Sequence, residues 1–429
     1  MQLHEHGRPR VPAFLRRTGL ALIGQGGQAA ASFLLTIAVA RAVDPSIRGT
    51  FVLLTLVPQL GAYIATLGLP GAVMRSAARE PDARPALLGV SVVGALGGGA
   101  LLTAATPLLM SLSHAHGPPI ALVAVGTIAL TWLIFAAWFA FGCEQFLVAG
   151  ALRTFPVLGA ALAVLALDAL GHHSLVVLFA PWAGLHGAIG LVALAYLVRR
   201  YGIVRPQRAQ VAAWTSYGIR YSAIQILNLV TLRLDQLILG GLASTAAVGL
   251  YSIGVSLSEG LLLVTTAVGL VVFLDSARGE TAAGFRRKLL LTVLASSAAA
   301  GLLVLVAQPL VHALFGERYE PAVALTRILA IGTPGLVVMR LMTNRLAGGG
   351  QPGRASIYAL VALGLTSALD FALIPSHGAT GAAWASSIGY DVGGAVALLT
   401  ARSSWRPRDA RAPVQPVAVS AAAPEPRGG

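Results

Sequence analysis

The sequence predicts an all-α polytopic membrane protein with about 12 transmembrane helices in two six-helix lobes that are parallel pseudo-repeats. Three observations support this prediction: the composition, the succession of long apolar segments and a weak internal repeat. Of the 429 residues, 56% are hydrophobic and 11% are charged, and the mean hydropathy is +0.78. Soluble domains are about 25% charged, so this chain is expected to expose most of its surface to lipid.

Apolar segments long enough to cross a bilayer follow one another along the chain. A transmembrane helix needs about 20 mostly apolar residues, and each segment here ends at charged residues or at glycine or proline. The predicted helices of the first lobe are 18–40, 50–70, 86–112, 118–142, 148–169 and 174–197. Those of the second lobe are 217–241, 246–272, 289–314, 322–346, 355–375 and 379–401.

These helices divide the chain into five segments. The N-lobe spans residues 18–198 and the C-lobe spans residues 217–401, with a polar linker at 199–216. Residues 1–17 precede the N-lobe and are not expected to be a cleavable signal, because the following apolar segment is too long. The tail, residues 402–429, is rich in alanine, proline and arginine and is predicted to be disordered.

The basic residues predict the orientation in the membrane. Most of the 30 lysines and arginines lie in the termini and in alternate connections, whereas the other connections contain only Arg41, Arg48 and Arg318. Since cytoplasmic connections are enriched in Lys and Arg, we predict a multi-pass protein of the bacterial cytoplasmic (inner) membrane with both termini in the cytoplasm. This asymmetry explains the net charge of +14 and gives no reason to expect a nucleic-acid partner.

Short sequence fragments recur at an offset of about 200 residues, which indicates two similar lobes. Gly49-Thr50-Phe51 corresponds to Gly249-Leu250-Tyr251, and Leu167-Asp168 corresponds to Leu369-Asp370. Each lobe has an even number of helices, so both enter the membrane in the same sense. Parallel repeats of this kind are typical of transporters with a substrate site between two rocking lobes.

The sequence contains no signature of a catalytic, cofactor or metal site. It lacks a phosphate-binding Gly-Lys-Ser/Thr loop, the HExxH and GxSxG motifs and a cysteine or histidine metal pattern. Cys143 is the single cysteine, which excludes an intrachain disulfide. We therefore predict that the protein is not an enzyme and uses no cofactor and no metal.

Ionisable side chains inside the predicted helices are the candidate functional residues. A charge at the bilayer centre costs about 2.5–3.5 kcal/mol on insertion scales, so these side chains should face the protein interior or a wet cavity. Arg233 and Asp235 are two residues apart and point about 200° apart on a helix, so they are not expected to pair with each other. An ion pair between Arg233 and Glu259 of the adjacent helix is a structural alternative to a functional role.

Four stretches carry a family resemblance: Ala40–Pro45, Arg48–Phe51, Arg233–Gly240 and Leu373–Ala385, of which the last is the most specific. Together they resemble the oligosaccharide (O-antigen and polysaccharide) flippase family of the multidrug/oligosaccharidyl-lipid/polysaccharide exporter superfamily. The resemblance spans about residues 18–400 and departs at Asp370, where the family often has asparagine.

The resemblance implies a flippase that moves a polyprenyl-pyrophosphate-linked oligosaccharide from the cytoplasmic to the outer leaflet by alternating access, for cell-surface polysaccharide biosynthesis. Its implied partners are this glycan lipid, membrane lipids and glycan polymerase or export proteins. Arginine suits the anionic head because its planar donors meet phosphate oxygens in pairs and stay charged on burial. The predicted substrate-binding residues are Arg41, Arg48, Arg233, Arg327 and Arg340, and the predicted ion-coupling carboxylates are Asp235, Glu259 and Asp391.

Two other functions stay open at this point. A cation-coupled multidrug or small-molecule exporter, working as an antiporter, would share the two-lobe architecture. A membrane enzyme acting on lipid-linked sugars is less favoured, because the sequence lacks both a catalytic constellation and a large loop on the side away from the termini.

Overall fold

The computed structural model describes residues 11–112, 118–277, 280–349 and 351–404, which fold into fourteen α-helices. The N-terminal half contains α1 (Val11–Ala42), α2 (Pro45–Ala65), α3 (Leu69–Arg79), α4 (Arg84–Leu112), α5 (Ile120–Gly142), α6 (Phe146–Ala169) and α7 (Leu175–Tyr201). The C-terminal half contains α8 (Arg208–Thr231), α9 (Leu234–Leu242), α10 (Thr245–Gly260), α11 (Leu262–Ala277), α12 (Ala282–Phe315), α13 (Ala322–Gly348) and α14 (Pro352–Ser404). The predicted disordered tail lies almost wholly outside the described residues.

Eight helical segments of the described chain are each long and apolar enough to cross a membrane, and α10 with α11 forms a ninth span bent by 47°. The pairs α2/α3 and α8/α9 are also separated by short breaks. Gly378, with φ of 55°, divides α14 into two segments. Joining the three pairs and dividing α14 gives twelve segments that correspond to the twelve predicted helices. The prediction of an all-α polytopic membrane protein is confirmed.

The break between α2 and α3 has a local backbone cause. Leu67 and Gly68 adopt φ values of 49° and 66°, in the left-handed region that only glycine enters easily. The break separates two packing environments, because α2 lies against α10 of the C-lobe whereas α3 lies against α5 and α8. One predicted helix therefore contacts both lobes.

The connection between the two halves is shorter than predicted. Helix α7 continues to Tyr201 and α8 begins at Arg208, so the non-helical segment is 202–207 instead of 199–216. Helices extend past their apolar stretches here because polar residues at a membrane surface can keep helical hydrogen bonds. The end of the bundle that contains residues 202–207 is called the linker face below, and the opposite end is called the far face.

The connecting segment is attached to the N-lobe. The Val204 N–H donates a hydrogen bond to the Pro85 carbonyl at 3.1 Å. A Cβ added at Gly89 would lie 2.3 Å from the Val204 carbonyl oxygen, so only glycine allows this approach. Trp214 of α8 is buried in the same apolar cluster as Phe139 and other N-lobe residues. By its packing, the start of α8 belongs with the N-lobe.

The two lobes contact each other through a pair of glycines that are equivalent in the sequence repeat. A Cβ at Gly49 of α2 would lie 1.6 Å from the Thr245 carbonyl oxygen, and one at Gly249 of α10 would lie 2.0 Å from the Pro45 carbonyl oxygen. Gly49 thus faces Thr245, which lies four residues before Gly249, and Gly249 faces Pro45, which lies four residues before Gly49. This reciprocity is what a twofold relation between parallel lobes requires, and it supports the predicted parallel repeat.

Replacing Gly49 or Gly249 with alanine should open the far face, because the new methyl group would overlap a backbone carbonyl of the opposite helix. The measurement is the distance between spin labels at Ser46 and Glu317, by electron paramagnetic resonance in a Cys143→Ser background. We expect a longer distance to dominate in each variant. Gly241→Ala is the control, because a Cβ there meets no atom within 4 Å. An unchanged distance in both glycine variants would contradict this account of the contact.

Candidate functional site

At the far face the lobes meet in a seam formed by α1 and α2 on one side and α10 and α12 on the other. The Tyr319 hydroxyl donates to the Val43 carbonyl at 2.7 Å. Arg41 donates to the carbonyls of Ala313 at 2.7 Å and Leu314 at 3.0 Å. These carbonyls end α12, where unpaired acceptors and the helix dipole favour a cation. The seam closes the space between the lobes toward the far face.

Arg48 lies inside this seam and is 2% exposed. Its Nε donates to the Ser252 hydroxyl at 3.3 Å and its Nη1 to the Thr36 carbonyl at 3.4 Å. Its guanidinium carbon lies 5.7 Å from the centroid of the Tyr319 ring and 6.0 Å from that of Phe315. Within the described part of the chain no carboxylate pairs with it. Both arginines predicted in the N-lobe to bind substrate are thus engaged between the lobes in this state.

Helix α1 forms one edge of the contact between the lobes. Helix α1 meets the C-lobe through Phe33, Ile37 and Ala40 of its far half, which pack in one cluster with residues of α10 and α12. Closer to the linker face, Gln25 and Ser32 of α1 are exposed. The described residues show no extensive packing between α1 and α11, whereas α3 and α8 stay in contact at the other edge. Among the described residues, the contact of α1 with the C-lobe is therefore concentrated on the far half of this helix.

An ion pair of the C-lobe lies near the middle of the bundle. Arg233, at the break between α8 and α9, contacts Glu259, near the break between α10 and α11. The contacts are Nη1 to Oε1 and Nη2 to Oε2, each of 2.9 Å. The side chains are 23% and 33% exposed, so the pair borders open space. The structural alternative considered for Arg233 is therefore realised in this state.

A second arginine, Arg340, lies beside this ion pair. Arg340 lies on the face of α13 that also carries Thr333 and Leu336, which line a cavity together with Glu259. It is close enough to Glu259 and Arg233 for their charges to interact. No side-chain acceptor for its guanidinium is found among the described residues. Asp235 lines the same cavity as Glu259, so this part of the C-lobe holds two arginines and two carboxylates, and Arg340 is the arginine whose guanidinium lacks a side-chain acceptor among the described residues.

Asp235 is held by partners other than Arg233. It is 3% exposed and accepts hydrogen bonds from the Tyr251 hydroxyl at 2.5 Å, the Ser386 hydroxyl at 3.1 Å and the backbone N–H of Gln236 at 2.7 Å. The prediction that Arg233 and Asp235 do not pair with each other is confirmed. The sequence analysis missed Ser386, which carries no distinguishing pattern, whereas Tyr251 lay within a repeated fragment.

Asp370 on the first segment of α14 is the second carboxylate near this position. It is 1% exposed, and neither carboxyl oxygen has a hydrogen-bond partner among the described residues. Its charge would interact with that of Asp235. Two neighbouring buried carboxylates are strongly disfavoured when both are ionised, so this position requires a proton or a cation. It was not among the predicted ion-coupling residues, although the repeat and the family departure both pointed to it.

Two of the predicted site residues lie away from the cluster. The Nε of Arg327 donates to the Val304 carbonyl of α12 at 3.2 Å. Asp391 is exposed beside Gly335 of α13. Among the sites proposed from the sequence, the structure therefore brings together Arg233, Arg340, Glu259 and Asp235.

The fold and the site define a class of protein: a polytopic membrane protein with two lobes that meet in a seam at the far face and with an ionic cluster near the middle of the C-lobe. This is the architecture of alternating-access transporters. The family described as "Polysaccharide biosynthesis protein" matches residues 14–273, which is more than half of the chain. The chain belongs to this family.

Solved structures agree with this fold at low sequence identity. An inward-facing multidrug resistance MATE family transporter of the MOP superfamily superimposes with a TM-score of 0.70 at 14% identity, covering 90% of this chain and 98% of that one. The lipid II flippase MurJ, in an inward closed conformation, gives 0.73 at 11% identity, covering 89% and 87%. A MOP superfamily transporter from Pyrococcus furiosus gives 0.63 at 16% identity, covering 91% and 95%. No curated protein sequence matches this chain.

Removing one member of the ion pair should destabilise the protein, and removing both should restore much of the loss. We expect Arg233→Ala to lower stability by about 2 kcal/mol, between the values for exposed and buried pairs, because Glu259 is left unpaired. Adding Glu259→Gln should recover most of it in a thermal unfolding assay. Arg318→Ala is the control, since its contact with Asp44 is mostly exposed. A double variant no more stable than Arg233→Ala would contradict a structural role for the pair.

Proposed function

We propose that the protein is a flippase that moves a polyprenyl-pyrophosphate-linked oligosaccharide from the cytoplasmic to the outer leaflet of the bacterial inner membrane. The observation that carries the proposal is the guanidinium of Arg340, which lies beside the ion pair of Arg233 and Glu259 and has no side-chain acceptor among the described residues. Membership of a polysaccharide biosynthesis family favours a glycan-bearing cargo. In this orientation the linker face is cytoplasmic and the far face is external.

The guanidinium of Arg340 suits an anionic head group. A pyrophosphate crossing the bilayer loses much of its hydration, and fixed donors must replace it. A guanidinium presents several donors in one plane and keeps its proton on burial. Arg340 is available for this role because its guanidinium has no side-chain acceptor among the described residues, whereas Arg233 is held by Glu259.

We place the entrance for the cargo between α1 and α11, where the described residues show no extensive packing. An isoprenoid chain can stay in the bilayer while the pyrophosphate and sugars enter sideways between the lobes. Gln25 and Ser32 of α1 are exposed and offer amide and hydroxyl groups for hydrogen bonds with sugars. Such an entrance avoids transferring the long apolar tail through water.

Alternating access requires a second state in which the far-face seam is open. Arg41 and Arg48 would then leave the α12 carbonyls and the Ser252 hydroxyl and face the space between the lobes. Their predicted role in binding substrate belongs to that state, in which the anionic head would replace their present partners. Glycan lipid leaving toward the outer leaflet would pass these two cations.

Ion coupling is assigned to the C-lobe carboxylates. Asp235 and Asp370 lie close together in the interior, and their mutual repulsion is relieved by a proton or a cation. Glu259 was also predicted to couple ions. Its carboxylate pairs with Arg233, and a cation in the cavity would compete with Arg233 for it. Asp391, the third predicted coupling residue, lies outside this group and is not part of the proposal.

A cation-coupled multidrug exporter is the second candidate. It is favoured by the fold shared with a multidrug resistance transporter and by the carboxylates of the C-lobe. Against this candidate, Arg340 places a guanidinium with no side-chain acceptor among the described residues beside Glu259, where it would repel a cationic cargo.

Arg340→Ala should abolish most flipping while leaving the protein folded. In proteoliposomes with a polyprenyl-pyrophosphate oligosaccharide, flipping is measured as the fraction of glycan that becomes accessible to an added glycosidase. We expect a loss of about tenfold or more for Arg340→Ala and partial retention for Arg340→Lys. The control is Arg354→Ala, an exposed arginine of the linker face. Cationic dye transport without flipping by the unmodified protein would overturn the proposal in favour of the exporter.

Asp370→Asn should change the ion dependence of flipping, because an amide needs no proton or cation to be neutral. We expect the unmodified protein to respond to an imposed proton or sodium gradient and Asp370→Asn to respond much less. The assay is the same glycosidase measurement with and without each gradient. Asp168→Asn, at the equivalent position of the repeat in the N-lobe, is the control. An unaltered gradient response in Asp370→Asn would remove this residue from the coupling.

A further inference from the structure

The sequence repeat relates two edges along which the lobes face each other toward the linker face. Helix α3 packs against α8 at one edge. At an offset of 200 residues, α3 corresponds to α11 and α8 corresponds to α1. A twofold relation between the lobes therefore makes an edge of α11 with α1 the counterpart of the edge of α3 with α8. The described residues show no extensive packing of α1 on α11, so one edge is formed and its counterpart is not.

The edge of α3 with α8 shows what the formed contact consists of. A Cβ added at Gly218 of α8 would lie 2.9 Å from the Leu67 carbonyl oxygen at the break before α3, so the two backbones approach closely. The guanidinium carbon of Arg75 on α3 lies 4.3 Å from the centroid of the Tyr217 ring on α8. A cation above an aromatic ring is an attractive contact. Arg75 and Tyr217 thus join the two helices of this edge.

The counterparts of Arg75 and Tyr217 on the other edge carry opposite charges. The offset places Asp275 of α11 at the counterpart of Arg75 and Arg17 of α1 at the counterpart of Tyr217. Identical residues at the same offset support this register in both pairs of helices, namely Gln25 with Gln225 and Ser76-Ala77 with Ser276-Ala277. Where the formed edge joins a cation to a ring, its counterpart is equipped to join a cation to a carboxylate.

Asp275 lies near the end of α11 at the linker face, and its side chain is 32% exposed. It forms an ion pair with Lys288 of α12, within the same lobe. Lys288 also contacts Glu280, at 2.8 Å between Nζ and Oε1. Lys288 therefore keeps a carboxylate partner if Asp275 turns toward another cation. A carboxylate also accepts hydrogen bonds from more than one donor, so the pair with Lys288 and a second pair are compatible.

The half of α1 nearer the linker face is held by its own lobe. A Cβ at Gly24 of α1 would lie 3.0 Å from the Gly150 Cα of α6, and one at Gly150 would lie 2.9 Å from the Gly24 Cα. Only glycines allow this approach, and α1 packs against α6 along much of its length. Helix α1 is therefore expected to approach α11 by a rotation of the whole N-lobe.

We propose that Arg17 and Asp275 form an ion pair that closes the edge of α1 with α11 at the linker face when the far-face seam opens. Arg17 lies in the first two turns of α1 and Asp275 in the last turn of α11, so both are near the aqueous surface. An ion pair at a surface is weak because water screens it, which suits a contact that forms and breaks in each cycle. The inference rests on the alternating access of the proposed function and is independent of the cargo.

The first test is disulfide cross-linking of the full-length protein in native membranes, in a Cys143→Ser background. Arg17→Cys combined with Asp275→Cys should form a disulfide on oxidation, because the closed edge brings the two Cα atoms within the roughly 7 Å that a disulfide spans. The control combines Arg17→Cys with Arg354→Cys, since Arg354 is also exposed at the linker face but lies on α14. No disulfide in the first variant, or equal yields in both, would overturn the proposal.

The second test exchanges the two charges and measures flipping in proteoliposomes. Arg17→Asp should lower the rate several-fold, because two carboxylates would then meet at the closing edge. Adding Asp275→Arg should restore at least half of the rate, a rescue that a merely structural role does not produce. Arg16→Asp is the matched control, with the same change of charge one position away, and should have little effect. Failure of the exchange to rescue flipping would overturn the ion pair.

The two tests separate this inference from the proposed function. Cross-linking needs no cargo, so a disulfide between positions 17 and 275 in a protein that carries dyes instead of glycan lipid would support the closure and overturn the flippase. Flipping by the unmodified protein without that disulfide would support the flippase and overturn the closure. Cross-linking also decides the matter if the charge-exchange variant does not accumulate.

Discussion

The contact of α2 with α10 brings two backbones so close that neither helix can carry a side chain at the crossing. Gly49 and Gly249 each face a carbonyl of the other helix, and the rest of the far-face seam is arranged around this crossing. In lipid there is little hydrophobic gain from bringing two apolar helices together, so close packing of small residues and interhelical hydrogen bonds take its place. Both act over short distances and are lost together when the helices separate. The lobes therefore meet in a contact that is specific in geometry and reversible.

The charges of the seam and of the mid-depth cluster are satisfied in different ways. Arg48 is buried between the lobes against a hydroxyl, a carbonyl and two aromatic rings. None of these partners carries a full charge, and an anion would therefore compete well for the guanidinium once the seam opens. Arg233 has a full carboxylate partner within its own lobe. Motion of the lobes thus changes the surroundings of Arg48 directly and can leave the pair of Arg233 intact.

The sequence predicted the twelve spans because each needs a long apolar stretch, which is visible without knowledge of the fold. Arg233 and Asp235 do not pair, as predicted, but the 200° separation on a helix is not the reason, because the helix is broken at Arg233. The breaks at Leu67 and elsewhere were not predicted, because they depend on backbone conformations that the surrounding helices impose. Depth in the membrane could be estimated by counting residues, but the direction a side chain faces could not. For this reason Asp391 was grouped with Glu259, although the structure places it on the opposite side of α14. The correspondence of Gly49 and Gly249 was visible in the sequence. That these two glycines lie at the crossing of α2 and α10 became clear only from the structure.

The attachment of residues 202–207 to α4, together with the burial of Trp214, affects how the chain can be divided. The unit that is repeated in the sequence ends near Tyr201, but the unit that packs as one body continues into α8. If the two halves descend from a duplicated ancestor, part of the core of the first half, Trp214, is now supplied by the second half of the chain. Expressed alone and cut at the connection, the N-terminal half would lack an indole in its core and would expose the site that Trp214 fills. A split of the gene within α8 would preserve that core. The end of the unit repeated in the sequence and the end of the unit that packs as one body therefore differ by about two to three turns of helix.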